Sequence, residues 1–100
     1  MGLSVFWQDE EGAILERFDE PGFDLRILDL ASPTRACLRF VDPYGDTVFN
    51  QMQVEELKVE LRTACDVTDE LSLQAAIRGL ITFLDRCTGH VHTYVKVYGD

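Results

Sequence analysis

Basic residues are scarce in this sequence. Nine lysines and arginines stand against eighteen aspartates and glutamates, which gives a formal net charge of −9. Nucleic-acid binding requires clusters of Lys and Arg that displace counterions from phosphates, and anionic membranes attract basic segments. We therefore expect neither nucleic acid nor a membrane as a partner. The charge favours a basic protein partner, whose approach it would accelerate; the alternative is that it serves solubility alone.

Cysteines and long apolar runs are also few. Cys37, Cys65 and Cys87 are odd in number and widely spaced, so they predict no disulfide framework. No apolar run approaches the roughly 20 residues needed to cross a bilayer. The first residues lack the basic and apolar regions of a signal peptide. We therefore expect a cytoplasmic protein.

The first twenty residues have the pattern of a β-hairpin. Apolar and aromatic stretches at 3–8 and 13–18 flank a short polar loop that contains Gly12. A shorter alternating stretch at 25–27 predicts a third strand before the break at Pro33.

A second hairpin is predicted from the turn residues between 36–41 and 47–49. The turn contains Asp42, Pro43 and Gly45. An aspartate bonds the backbone two residues on, a proline fixes φ, and a glycine tolerates positive φ. We expect a type I turn in which Gly45 forms a bulge.

The period becomes helical from residue 50. Asn50 and Gln53 have the spacing of a capping box, and we expect Lys58 and Glu60 on the solvated side of this helix. A second helix is predicted from Thr68, as its N-cap, to Gly89 just past its end. The predicted buried stripes are Val54, Leu57, Leu61 and Ala64 in the first helix, and Leu73, Ala76, Ile77, Leu80, Phe83, Leu84 and Cys87 in the second.

The last predicted strand covers 90–98. Alternation places two sets of side chains on opposite faces: Val91, Thr93, Val95 and Val97 on one, and His90, His92, Tyr94, Lys96 and Tyr98 on the other. Together these elements predict one α+β domain over residues 1–100. It has an antiparallel-rich sheet of about five or six strands covered on one face by two consecutive helices, in the order β-β-β-β-β-α-α-β.

Motifs for catalysis and cofactor binding are missing. The sequence has no G-x-S-x-G and no glycine-rich phosphate loop. Cys37, if exposed, would be a nucleophile with His90 or His92 as a distant base. Cys87, His90 and His92 include metal-ligand types, but no second cluster supplies further ligands, and Cys87 falls on an apolar stripe. We therefore expect no enzyme activity, no metal and no cofactor.

Two features point to protein binding. Acidic residues gather around the first hairpin, and the polar face of the last strand combines aromatic and charged side chains, as interfaces do. The alternative is a soluble hairpin tip and an ordinary solvated sheet face. The predicted partner-binding residues are Glu10, Glu11, Glu16, Tyr44, His92, Tyr94, Lys96 and Tyr98. Trp7 would join them if the sheet brings it close.

The sequence thus predicts a non-catalytic protein-interaction or regulatory module. In size and charge it is similar to the immunity proteins, small acidic inhibitors of basic toxins, a similarity of composition alone. The alternative is a small metal- or ligand-binding domain, including an enzyme, centred on His90 and His92. A homodimer that pairs through the last strand is a third hypothesis.

Overall fold

The computed structural model describes residues 3–18, 37, 40–42 and 44–99. These residues form, in chain order, β1 (Leu3–Asp9), β2 (Ile14–Phe18), β3 (Asp46–Phe49), α1 (Gln51–Val67), α2 (Leu71–Cys87) and β4 (Thr93–Gly99). The α+β class is confirmed. The described residues contain four strands rather than five or six, and the predicted strand at 25–27 lies outside them.

The four strands form one antiparallel sheet in the order β2-β1-β4-β3. The first hairpin is confirmed, with β1 and β2 joined by a turn in which Gly12 has a φ of 88°. β4 is an inner strand, paired with β1 on one side and β3 on the other. A second copy of the chain therefore finds no free edge on β4, the edge that the homodimer hypothesis used.

The second predicted hairpin is wrong in its pairing. β3 pairs with β4, and the described residues of its predicted partner, Cys37, Phe40 and Val41, are not in a strand. The predicted bond within the turn is present, since the Tyr44 amide donates to Asp42 Oδ1 at 2.8 Å. Gly45 has no positive φ and forms no bulge. A Cβ atom there would lie 2.6 Å from Asp42 Oδ2, so a larger residue would displace the Asp42 carboxylate that accepts the Tyr44 amide.

Both helices bury their predicted stripes against one face of the sheet. The capping box of α1 is confirmed, with Asn50 and Gln53 each accepting the other's backbone N–H at 2.9 Å. Thr68 ends α1 and is not the cap of α2, which begins after Glu70 without a side-chain cap. Its hydroxyl accepts the Glu70 amide at 3.3 Å, which tightens the connection between the helices.

Two charged residues predicted on the solvated side of α1 are buried instead. Lys58 is 6% exposed, and its ammonium lies 3.2 Å from Glu55, 3.1 Å from Asp85 and 3.0 Å from the Thr88 hydroxyl. Glu60 is also buried and accepts the Cys37 amide at 2.9 Å. Burial alone would lower the pKa of Lys58, but the hydrogen bonds to Asp85 and Glu55 outweigh it and raise the pKa. The ammonium therefore links the two helices in its charged form.

We expect the Lys58 cluster to respond asymmetrically to mutation. Lys58→Met keeps the packed aliphatic stem and leaves two carboxylates that are more than half exposed and can be hydrated. It should therefore lower the free energy of unfolding by less than about 1 kcal/mol. Glu55→Gln/Asp85→Asn leaves the buried Lys58 ammonium with only neutral acceptors and should lower the free energy of unfolding by about 2 kcal/mol. Urea unfolding at pH 7 measures both free energies. A Lys58→Met protein that is the less stable of the two would contradict this account.

Candidate functional site

The face of the sheet opposite the helices carries three of the eight predicted partner-binding residues, Tyr94, Lys96 and Tyr98. Antiparallel register sets three cross-strand rows on this outer face: Tyr98 beside Ser4 and Asp46, Lys96 beside Phe6 and Val48, and Tyr94 beside Gln8. Arg17 and Ile14 on β2 extend the second and third rows. The outer face is therefore defined by Ser4, Phe6, Gln8, Ile14, Arg17, Asp46, Val48, Tyr94, Lys96 and Tyr98.

Aromatic and cationic side chains pack together across the outer face. The rings of Phe6 and Tyr98 meet edge to face with centroids 5.2 Å apart. Lys96 Nζ lies 4.7 Å from the Tyr98 ring centroid and 3.6 Å from Asp46. The Gln8 amide donates to the Tyr98 hydroxyl at 3.1 Å; this bond, with the nearby Lys96 ammonium, lowers the pKa of Tyr98. These contacts hold the middle of the face in one arrangement.

Apolar side chains border this packed centre. Ile14 on β2 is 58% exposed and Val48 on β3 is 52% exposed, at the two edges of the sheet. Single exposed apolar residues are normal on a protein surface. Here two of them bracket a face rich in aromatic side chains, a composition enriched at protein interfaces.

The turn between β1 and β2 forms an acidic tip, which consists of Asp9, Glu10 and Glu11. Asp9 has a structural part, since its Oδ1 accepts the backbone amides of Glu11 and Ala13, both at 2.9 Å. Glu10 and Glu11 are exposed, as predicted. The tip therefore presents two full negative charges on a turn that is fixed by its own hydrogen bonds.

Glu16 does not belong to this surface. It stands opposite Trp7 on the helix-facing side of the hairpin, and its carboxylate takes two hydrogen bonds from Arg86 of α2, at 2.7 and 3.2 Å. Trp7 also faces the helices rather than the outer face, and its ring packs 5.0 Å from that of His90. The sequence grouped Glu16 with the tip because the residues are neighbours, but strand alternation separates them.

Tyr44 lies at the opposite end of the sheet from the acidic tip. It is 72% exposed in the turn before β3, next to Gly45, whose carbonyl accepts the Gly99 amide at 2.8 Å. It borders the row that contains Tyr98 and Asp46 but is far along β4 from His92. The predicted set therefore spans the whole length of the sheet.

The two histidines do not share a strand face, because β4 begins at Thr93 and not at His90. His92 has a φ of 61°, a left-handed conformation uncommon for residues other than glycine. This reversal breaks the predicted alternation and leaves Val91, predicted to be buried, 76% exposed. His90 packs on Trp7, whereas His92 Nδ1 lies 3.3 Å from Glu10 Oε2. Glu10 and His92 are thus brought together, and His90 and His92 are directed apart.

A cleft of about 280 Å³ opens beside His92. It lies between the first turn of α1, residues 50–52, and residues 91–94. Gln51 holds its two walls together: its amide nitrogen donates to the Thr93 hydroxyl at 2.9 Å, and its oxygen accepts the Gly89 amide at 3.1 Å. Met52, which is 84% exposed, and Val91 give the cleft apolar sides.

The candidate metal and nucleophile residues have other environments. Cys87 is fully buried, and burial raises the pKa of its thiol to about 12. Cys37, which would have to be exposed to act as a nucleophile, is 4% exposed; burial and then Glu60 raise its pKa to about 12. Both thiols therefore stay protonated at neutral pH and are poor nucleophiles. In the part of the chain that the structure describes, no group of three His, Cys, Asp or Glu side chains is placed to hold a metal ion.

Met52, Val91 and Gln51 are site residues that sequence reasoning missed. Met52 lies off the apolar stripe of α1, which was a usable signal that it is exposed. Val91 gave no such signal, because its exposure depends on the backbone reversal at His92.

Neither helix of the described residues is long and apolar enough to cross a bilayer. No protein-family model matches the chain, and no match is found among curated proteins or among solved structures. A function for this protein therefore has to be inferred from its own residues and their geometry.

Proposed function

We propose that this protein is a non-catalytic interaction module that binds a basic protein partner through the outer face, with the acidic tip steering the approach. Regulation by inhibition, as in the immunity proteins that it resembles in composition, is one form that such binding takes. The outer face supplies contact area, and the tip supplies long-range attraction.

The observation that carries the proposal is the composition of the outer face and the packing of its side chains on one another. It has a fixed aromatic centre in Phe6 and Tyr98, and exposed apolar residues, Ile14 and Val48, at its edges. Contact surfaces that are already ordered lose less conformational entropy on binding. A flat face with such a centre suits a protein better than a small molecule, which requires a concave site.

Charge supports a basic partner. Glu10 and Glu11 are exposed at the tip, and the whole chain has a formal net charge of −9. The alternative function, a metal or ligand site centred on His90 and His92, has less support because the two imidazoles contact different residues, Trp7 and Glu10.

Charge reversal at the tip should slow association. In Glu10→Lys/Glu11→Lys we expect the association rate constant at low salt to fall about tenfold, with a weaker dependence on salt. Glu16 is left unchanged because its ion pair with Arg86 links the hairpin to α2. The partner is first isolated by pull-down at low salt, and its binding kinetics are then measured by surface plasmon resonance.

The matched control is Asp66→Lys/Asp69→Lys. It makes the same change in net charge at two exposed positions at the other end of α1, Asp66 in its last turn and Asp69 just after it. We expect the control to slow association by a smaller factor than the tip variant. Equal association rate constants for the two variants would show that only the overall charge matters and would contradict a specific role of the tip.

Loss of the edge residues should weaken the complex without loosening the fold. Ile14→Thr/Val48→Thr keeps β-branched side chains, and we expect it to raise the dissociation constant at least tenfold by removing apolar contact. Val59→Thr/Val67→Thr removes similar exposed methyl groups from α1 and should change the dissociation constant less than twofold. Titration calorimetry measures both. Equal losses in the two variants would place the contact surface elsewhere.

A further inference from the structure

We infer that the cleft beside His92 receives a long cationic side chain, lysine or arginine, from the partner. The inference rests on the proposed function and assigns one contact within it. The aliphatic stem would lie between Met52 and Val91, and the charged end would reach the carboxylate of Glu10.

The size of the cleft suits one side chain. Its volume of about 280 Å³ lies just below the roughly 300–1,000 Å³ of typical small-molecule sites. Its walls keep their separation because Gln51 is hydrogen-bonded to both Thr93 and Gly89. A side chain that enters it therefore meets a preformed space.

The apolar sides call for an aliphatic stem. Met52 and Val91 are 84% and 76% exposed, and both line the same cleft. Lysine and arginine bury their methylene groups along apolar surface while the charged end stays in a polar setting. An occupant of this kind would cover both side chains.

The charge at the mouth of the cleft, where His92 contacts Glu10, favours a cationic occupant. Glu10 Oε2 lies 3.3 Å from the imidazole of His92, which lines the cleft, and Glu11 follows it in the acidic tip. The first turn of α1 opposes this with a partial positive charge of about half a unit. The negative charge of the Glu10 carboxylate, which contacts a residue of the cleft, exceeds that half unit, so the field at the mouth favours a cation over an anion.

The left-handed backbone of His92 gives this arrangement a structural basis. A φ of 61° is a left-handed conformation that is sterically unfavourable for residues other than glycine, because the Cβ atom crowds the backbone. It directs the imidazole to Glu10 and turns Val91 outward. The wall formed by residues 91–94 and the charged mouth therefore depend on one backbone reversal.

The test uses Nα-acetyl-lysine amide as the probe, followed by amide chemical shifts in NMR spectra of the full chain. We expect saturable shifts at residues 51–52 and 91–94 with millimolar affinity. Nα-acetyl-norleucine amide, which has the stem without the ammonium, should bind several-fold more weakly.

Variants separate the stem from the charge. Glu10→Gln should weaken probe binding about two- to fivefold, as loss of one exposed ion pair does. Val91→Ser should also weaken it, whereas Asp66→Asn, at the far end of α1, should leave it unchanged. All three positions are exposed, so the fold should persist, and the amide spectrum of each variant verifies this.

Other outcomes overturn the inference. Equal binding of the norleucine probe would make the cleft an apolar pocket, and shifts at residues 51–52 with inorganic phosphate in place of the lysine probe would make it an anion site. If the tip variant slows association with the partner but Val91→Ser binds that partner normally, the cleft assignment fails and the proposed function stands. If the tip variant has no effect on the partner, the proposed function fails whatever the probe does.

Discussion

The inner position of β4 is the constraint on which the rest of the structure depends. β1 and β3 are not paired with each other; both are held in the sheet by their pairing with β4. β4 also carries Val95 and Val97 into the core that the helices cover. Because β4 follows both helices in the chain, the sheet is completed by contacts that are distant in sequence, which favours slower folding than local contacts would.

The same constraint fixes the functional surface. Alternation along β4 sends Val95 and Val97 to the core and Tyr94, Lys96 and Tyr98 to the outer face. Where β4 begins, Gln51 joins the start of α1 to the end of the α2–β4 connection. The core, the outer face and the cleft are therefore not independent, since each uses a different part of one strand and its approach.

Local sequence patterns predicted the helices and strands better than they predicted which elements and side chains contact each other. The capping box at Asn50 and the apolar stripes of both helices were predictable because each depends on residues a few positions apart. Lys58 and Glu60 were misplaced because their partners, Asp85 and the Cys37 amide, are more than twenty residues away in sequence. The helical period of apolar residues indicates which face of a helix is buried. It does not show whether a charged residue finds distant partners that allow it to be buried as well.

The prediction of the candidate site from the sequence was wrong because of one residue, His92. Alternation from His90 to Tyr98 is regular in the letters, and nothing in them marks the backbone reversal at His92. That reversal separates His90 from His92, which removes the chelating pair, and it places His92 against Glu10 instead. Tyr94, Lys96 and Tyr98 were grouped correctly because they lie beyond it, within regular strand.

In the proposed complex, rate and affinity would come from different parts of this surface. Charges at the tip act over about a Debye length, roughly 8–10 Å in physiological salt, and would accelerate the encounter more than they strengthen the complex. The outer face would act only on contact, through apolar and aromatic area. A flat face alone specifies orientation poorly. A cation anchored in the cleft, at the end of the sheet where Glu10 meets His92, would fix how the partner lies across the rows from Tyr94 to Tyr98.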